Sequence, residues 1–264
     1  MDFNNKLCKS LLRKSGLHDS EYSINPYTGC SNGCVYCYAP YIMREGRKWG
    51  KFVDIKINAP EVLEKELEKV KSGTVLISSV TDCYQPMERK YGITRKILEK
   101  LKNTNLKVSI LTKCALVTRD IDILRQMDCK VGLTITTMND SIRETFEPKA
   151  SPIKDRLDAL KKLKEAGIRT YIFFGPMLPY MSDKNIEETL KAFSDLKVDK
   201  IYFDKLNIRH PYQWSKIKSV LEANYEDMVD RWKAAIYGEE YYRDLKKKII
   251  VICNRLNLKY EFCY

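Results

Sequence analysis

Gly29-Cys30-Ser31-Asn32-Gly33-Cys34-Val35-Tyr36-Cys37-Tyr38 is the stretch on which the reading of this chain turns. Its three cysteines follow C-x3-C-x2-C spacing on a loop with two glycines. A cubane iron–sulfur cluster ordinarily takes four thiolates, so three close together leave one iron open to a substrate or cofactor. Zinc is the first alternative, and it wants four ligands, commonly a second C-x2-C pair or closely spaced histidines. No second C-x2-C follows, and the two histidines, His18 and His210, form no such pair. A disulfide framework is the second alternative, but nine cysteines is an odd number and no secretory leader precedes them. The loop therefore reads as a [4Fe–4S] site with Cys30, Cys34 and Cys37 as metal ligands and the aromatic Tyr36 just before the third.

Composition bounds the rest. A chain of 264 residues with 44% hydrophobic residues can build one large domain with a full core. No apolar run reaches the length of about 18 residues that spans a bilayer, so no membrane partner is expected. The opening residues Met1-Asp2-Phe3-Asn4-Asn5 resemble neither a signal peptide nor a transit peptide, which points to a reducing cytoplasm where thiols stay free for metal. Forty-seven basic against 35 acidic residues give a formal charge of +12. Such an excess makes nucleic acid a candidate partner, although Lys/Glu-rich helices such as Glu64-Lys65-Glu66-Leu67-Glu68-Lys69 give a solvated surface of the same composition.

What recurs along the chain is a strand followed by a helix. Strands are expected at 21–27, 74–80, 106–112, 130–136, 169–174 and 200–203. Helices are expected between them, one with Asn58 as its cap, Pro60 in its first turn and Gly73 as its stop, and another capped by Ser182. Such alternation argues for parallel strands with crossover helices. Six such units fit an α/β fold, a partial (β/α)6 barrel of the TIM type. The expected division is an N-terminal extension (1–20), the barrel (21–206) and a helical C-terminal appendage (207–264). Trp214, Leu221, Met228 and Trp232 are core candidates there, and the alternating 258–262 is an edge strand.

Ligands of parallel barrels bind at the carboxyl ends of the strands. That rule selects Ser78, Ser79, Thr81, Asp82 and Cys83 after the second strand, and Thr112, Lys113 and Cys114 after the third. It adds Thr134, Thr136 and Thr137 after the fourth, Gly175, Pro176 and Met177 on the fifth, and Asp204 and Lys205 on the sixth. Lys113 stands out, because a lone cation beside a cofactor carboxylate has a plain electrostatic role.

The pattern C-x3-C-x-φ-C, where φ is aromatic, resembles the signature of the radical S-adenosylmethionine (SAM) enzymes. Ser23-Ile-Asn-Pro-Tyr-Thr-Gly-Cys-Ser-Asn-Gly-Cys-Val-Tyr-Cys-Tyr-Ala39 is similar to the subgroup that contains spore photoproduct lyase. So are Thr81-Asp82 with Gln85-Pro86-Met87-Glu88, Leu111-Thr112-Lys113, and Phe146-Glu147-Pro148 with Ser151-Pro152. The resemblance implies the partial barrel just described and a [4Fe–4S] cluster whose open iron binds SAM. It also implies a low-potential electron donor of the flavodoxin or ferredoxin type, and a 5′-deoxyadenosyl radical that takes a hydrogen atom from the substrate. Matched positions give Tyr36, Tyr38, Ser79, Lys113, Thr134 and Gly175 as SAM neighbours, and Asp82 and Thr136 join them as cofactor-binding candidates at the same strand ends. In the lyase a hydrogen-donor cysteine precedes the run after the second strand. Ser79 occupies that position here, so Cys83 becomes the candidate donor. The substrate classes in view are a nucleic-acid lesion or modification, and a peptide or small molecule. A non-catalytic iron–sulfur or zinc-binding module is the alternative outside catalysis.

Overall fold

The computed structural model describes residues 1–17 and 19–264, so His18 lies outside the described residues. Its strands are β1 (Asp2–Lys6), β2 (Arg13–Lys14), β3 (Tyr22–Ile24), β4 (Tyr27–Thr28), β5 (Phe52–Lys56), β6 (Gly73–Ile77), β7 (Leu106–Thr112), β8 (Cys129–Thr134), β9 (Arg169–Met177), β10 (Lys200–Lys205) and β11 (Tyr260–Phe262). The larger sheet runs β11-β10-β9-β8-β7-β6-β3-β2. All pairings from β3 through β6, β7, β8, β9 and β10 to β11 are parallel, and only β2 runs against its neighbour. The six expected barrel strands are present in chain order, and the 258–262 segment adds a further parallel strand at the edge. Sequential parallel strands linked through helices form the α/β partial barrel.

One face of the sheet is a continuous apolar layer: Ile24, Val75, Ile77, Val108, Ile110, Val131, Leu133, Ile172, Phe174, Ile201 and Phe203 are all buried. Phe174 meets Phe193 of the helix Ile186–Asp195 with ring centroids 5.5 Å apart, so this face packs under the helices. The Tyr171 ring lies across Gly132, where an added Cβ would fall 2.1 Å from it, and the Tyr171 hydroxyl donates to Ile110 O at 2.9 Å. A side chain at 132 would displace that ring, which is why the strand carries glycine there.

A small second sheet, β1-β5-β4, was not expected. β1 pairs in parallel with β5 from Asp2↔Phe52 to Lys6↔Lys56, so residues 1–20 contribute a strand to each sheet. Asn58 explains part of this. It does not cap the helix Ala59–Leu67 with its side chain. Instead its Oδ1 accepts from the Cys8 N–H at 2.8 Å and its Nδ2 donates to Cys8 O at 3.0 Å, clasping the N-terminal segment. Gly73 belongs to β6, six residues past the end of that helix at Leu67. Ser182 is likewise no cap for Ile186–Asp195, because its hydroxyl accepts from Leu178 N–H and donates to Thr136 O.

The C-terminal region is helical, as expected, over Pro211–Asn224, Val229–Tyr237 and Glu240–Arg255. Leu221 and Trp232 are fully buried, and Trp214 and Met228 are partly buried. Trp232 stacks on Phe146 with ring centroids 5.3 Å apart, joining these helices to the segment behind the cysteine loop. No helix among the described residues is long and apolar enough to cross a membrane.

Candidate functional site

The cysteine loop leaves β4 at the carboxyl-end face of the barrel and is fixed by its backbone. Gly29 has φ +86°, and a Cβ there would fall 2.5 Å from Phe52 O, so glycine alone fits. The loop is then held by three segments. Ser31 N–H donates to Gln85 Oε1 at 2.8 Å, Val35 N–H to Phe146 O at 2.9 Å, and Lys149 N–H to Asn32 O at 3.3 Å. From the C-terminal helix Pro211–Asn224, Gln213 Nε2 donates to Tyr36 O at 2.8 Å and Lys216 Nζ to Cys34 O at 3.1 Å. The C-terminal region therefore completes the loop's support.

Cys30, Cys34 and Cys37 are free thiols, the first two 8% exposed and the third partly exposed. Burial is the main cause that raises all three, and Cys34 is pushed up to about 12, with Lys113 pulling it back and Glu147 adding to the rise. Among the described residues no three His, Cys, Asp or Glu side chains converge as they would on a single metal ion. Three thiols supplied by one loop are the soft donors that an iron–sulfur cluster takes.

Behind the loop lies a buried charge network. The Tyr36 hydroxyl donates to Glu147 Oε1, and Thr136 Oγ1 donates to the same oxygen at 3.2 Å. Arg156 Nη2 is 2.6 Å from Glu147 Oε2, with both side chains fully buried. Arg156 also donates to Ser151 O at 2.8 Å and Thr134 O at 2.9 Å. Burial works against the Glu147 charge, but Arg156 and Lys113 outweigh it and hold the carboxyl below its usual range. Burial likewise opposes the charge on Lys113, yet Cys34 and Glu147 raise it, and its ammonium sits 5.8 Å from the Tyr36 ring centroid. Lys113 remains partly exposed.

Asp82 joins three elements. Its carboxylate accepts from Asn32 Nδ2 (2.9 Å), Thr112 Oγ1 (2.5 Å), Lys113 N–H (2.9 Å) and Tyr84 N–H (3.0 Å). The groups that bond Asp82 come from the cysteine loop and the ends of β6 and β7, so its geometry is that of a brace. Ser79 is near Tyr38, whose hydroxyl donates to Ser79 O at 3.0 Å, while Asn25 Nδ2 holds Ser79 Oγ at 2.8 Å. Gly175 faces Asp204, whose Cβ lies 3.0 Å from an ideal Cβ built on the glycine.

At the carboxyl-end mouth of the barrel, Tyr36 and Thr136 thus share Glu147, Asp82 bonds the Lys113 backbone, Tyr38 bonds the Ser79 carbonyl and Gly175 lies against Asp204, whereas Cys83 stands apart. Cys83 is fully buried and belongs to the hydrophobic core, its N–H donating to Ser78 Oγ and its carbonyl accepting from Thr94 Oγ1. Cys114 is the thiol nearer the cysteine loop, with its Sγ 3.6 Å from Asn32 Oδ1. Sequence reasoning gave no role to Glu147, Arg156, Asn32, Gln85, Gln213 or Lys216. Arg156 carried a legible signal, a charge in phase with Ile153, Leu160 and Leu163 on the buried helix face. Gln213 and Lys216 had none, since they reach the loop from about 180 residues away.

The sequence profile described as the Radical SAM superfamily matches residues 24–193. A protein of Methanocaldococcus jannaschii, itself of uncharacterised function, is 34% identical over 253 residues, covering 92% of this chain and 93% of its own. Spore photoproduct lyase of Clostridium acetobutylicum is 27% identical over 187 residues, 69% of this chain and 54% of its own. A solved spore photoproduct lyase variant with bound AdoMet and dinucleoside spore photoproduct superposes with a TM-score of 0.77 at 16% identity, covering 99% of this chain and 82% of that one. At that identity the likeness establishes the fold.

Proposed function

The chain belongs to the radical SAM superfamily, and from that premise we propose that it takes a hydrogen atom from a nucleotide of a nucleic acid. Its cofactors are those of the family, a [4Fe–4S] cluster and SAM. Bound together and reduced by one electron, they supply a 5′-deoxyadenosyl radical. The observation that carries the catalytic reading is the juxtaposition of three thiols on one loop with the Lys113 ammonium beside Tyr36 at the adjoining strand end.

The residues have separable tasks. Cys30, Cys34 and Cys37 hold the cluster. Lys113 attracts the carboxylate of SAM, and its charge is secured by Cys34 and Glu147. Tyr36, Tyr38, Ser79, Thr134, Thr136 and Gly175 shape the cofactor's surroundings, and Asp82 fixes the loop that carries the thiols. Cys83 we assign to packing, because its burial in the core gives a substrate radical no access to it. The electron enters from a low-potential donor of the flavodoxin or ferredoxin type.

A nucleotide substrate is supported by the formal charge of +12 and by the named relatives, one of them solved with a dinucleoside photoproduct. The test uses anaerobically reconstituted protein with dithionite and SAM. Formation of 5′-deoxyadenosine is measured with and without single-stranded DNA, RNA and short dinucleotides, and the digested nucleosides are weighed by mass spectrometry. The expected result is nucleic-acid-stimulated cleavage and a nucleoside of altered mass. Cluster-loaded, reduced protein that cleaves no SAM would defeat the enzyme reading. Cleavage indifferent to every nucleic acid, but stimulated by a peptide or small molecule, would redirect the substrate class.

A further inference from the structure

Just outside the mouth, three rings from two segments far apart in sequence lie in one stack. Tyr41 and His210 have centroids 4.8 Å apart and planes within 4°, and His210 and Tyr212 are 5.3 Å apart at 19°. Tyr212 ends the stack with 73% of its surface exposed. Tyr41 and His210 are partly buried, and Tyr212, open to water, adds little to the core, so its place in the stack is not a by-product of burial. It is set by specific bonds. His210 caps the helix Pro211–Asn224, its Nδ1 accepting from the Tyr212 N–H at 3.2 Å, which orients the imidazole. The same helix is pinned to the cysteine loop through Gln213 and Lys216, so the stack has a fixed position relative to the mouth.

The segments that carry the stack are cationic, with acids only at their borders, Asp204 and Glu45, the latter bonded to Arg47. Residues 38–44 and 205–212 contain Arg44, Lys205 and Arg209 and no Asp or Glu. Arg209 is exposed, its N–H is held by Gln213 Oε1 at 2.8 Å, and its guanidinium acts electrostatically on both Tyr38 and Asp204 at the mouth. Arg209 immediately precedes His210, so a cation adjoins the rings in the chain. Exposed Ile42 and Met43 extend the apolar surface next to Arg44. Stacked aromatics with an open terminal face, flanked by cations that follow a track, are the elements that bind single-stranded nucleic acid, whose bases stack on the rings and whose phosphates meet the cations.

We propose that the Tyr41–His210–Tyr212 stack is a platform for a base of single-stranded nucleic acid flanking the nucleotide held in the mouth, with Arg209 and Arg44 taking neighbouring phosphates. The proposal rests on the nucleic-acid reading above and adds to it the surface and the strandedness. An acidic electron-donor protein would meet the same charge, but it would have no use for parallel rings with an open end.

Fluorescence anisotropy of the cluster-loaded full chain, with a labelled 15-nucleotide oligothymidylate and with the corresponding duplex, tests it. The single strand is expected to bind more tightly than the duplex. Tyr212→Ala should weaken it about 10-fold, the scale of one lost base stack, while Tyr212→Phe stays within about 2-fold. Arg209→Ala should lower the slope of log affinity against log salt by about 0.7, one phosphate contact on a single strand. Val251→Ala, an exposed apolar residue on the helix Glu240–Arg255, serves as the control and should change neither. Iron content and melting temperature must match wild type for each variant. Oligothymidylate affinity unchanged in Tyr212→Ala overturns the platform and leaves the substrate class standing. So does a Tyr212→Ala loss seen only in flavodoxin-supported SAM cleavage, which would give the surface to a redox partner. No binding of either DNA by wild type overturns the platform too, while the dinucleotide assay, whose substrate is too short to reach the stack, judges the nucleic-acid reading on its own.

Discussion

The two walls of the mouth are built on opposite terms. On one, formed by the ends of β6, β7 and β8 with the segment 146–156, charges meet charges inside the protein. Glu147 is shared by Arg156, Tyr36 and Thr136, and Asp82 accepts five hydrogen bonds, one of them from the Cys114 thiol. On the other, at the end of β10, Asp204 accepts a long 3.4 Å bond from Asn207, and burial pushes its carboxyl up to about 6. A buried carboxylate is costly unless it is paired. The first wall offsets that cost with an opposing buried charge, since Arg156 Nη2 lies 2.6 Å from Glu147 Oε2, although the two atoms meet as charges without hydrogen-bond alignment. The second has no buried cation against its carboxylate, only the Asn207 amide, the Lys205 backbone and the more distant charges of Arg209 and Lys205. The two walls thus differ in whether a buried cation faces the carboxylate.

The largest expected effect asks whether the first wall holds a cluster at all. Replacing Cys30, Cys34 or Cys37 with Ala should abolish iron incorporation from about four irons per chain, together with the broad thiolate-to-iron absorption. Cys129→Ala should retain both, since Cys129 is buried at the start of β8 with its Sγ donating to Leu124 O. Stoichiometric zinc and no iron after anaerobic reconstitution would remove the basis for contrasting the walls.

A smaller effect tests what the charge pairing in the first wall is worth. Arg156→Met leaves the Glu147 carboxylate buried without its main counter-charge, and loss of one partner from a fully buried pair costs about 3–5 kcal/mol. Urea unfolding of the cluster-loaded protein should show a loss of that order. Adding Glu147→Gln should recover at least half of it, because the orphaned charge is then gone. Losses that simply add would mean the two residues act independently, and the closed network would be a misreading.

How much of this could be read in the chain depends on the range of each interaction. The parallel barrel was legible because strand and helix periodicities are local, and the strand at 106–112 agrees with β7 to the residue. The cysteine loop was legible as a unit because the spacing of its three thiols is local as well. Asn58 and Ser182 were misassigned for the converse reason. Both sit where a helix cap belongs, yet each side chain takes partners 50 and 46 residues away, Cys8 and Thr136, and no local rule weighs such a competitor. The N-terminal strand β1 was missed on the same ground, since its five residues are exposed and its pairing partner β5 lies some 50 positions on. The strand-end rule found Asp82 but not its work, because whether a carboxylate faces a ligand or braces a loop is settled by Asn32 and Thr112.

The smallest effect probes the second wall, and its sign is the informative part. Below about pH 4 Asp204 carries a proton in both folded and unfolded chains and contributes nothing to the difference between them. Between there and pH 6 the unfolded chain releases the proton while the folded one keeps it, so stability falls as pH rises and the loss is complete above the folded value of about 6. Two pKa units correspond to nearly 3 kcal/mol at most, and partial exposure of the residue reduces this to about 1–2 kcal/mol. Lys205 and Arg209 act in the opposite direction, and Asn207 bonds the carboxylate, but burial outweighs the three. Asp204→Asn should therefore stabilise the protein by about 1–2 kcal/mol at pH 8 and by less at pH 5.5, read as a rise in urea midpoint with unchanged slope. If Asn instead destabilises at pH 8, Arg209 or Lys205 already satisfies the carboxylate, and the second wall is as closed as the first. A gain equal at both pH values would place the effect in packing against Gly175 rather than in charge, and would leave the contrast between the walls without its electrostatic cause.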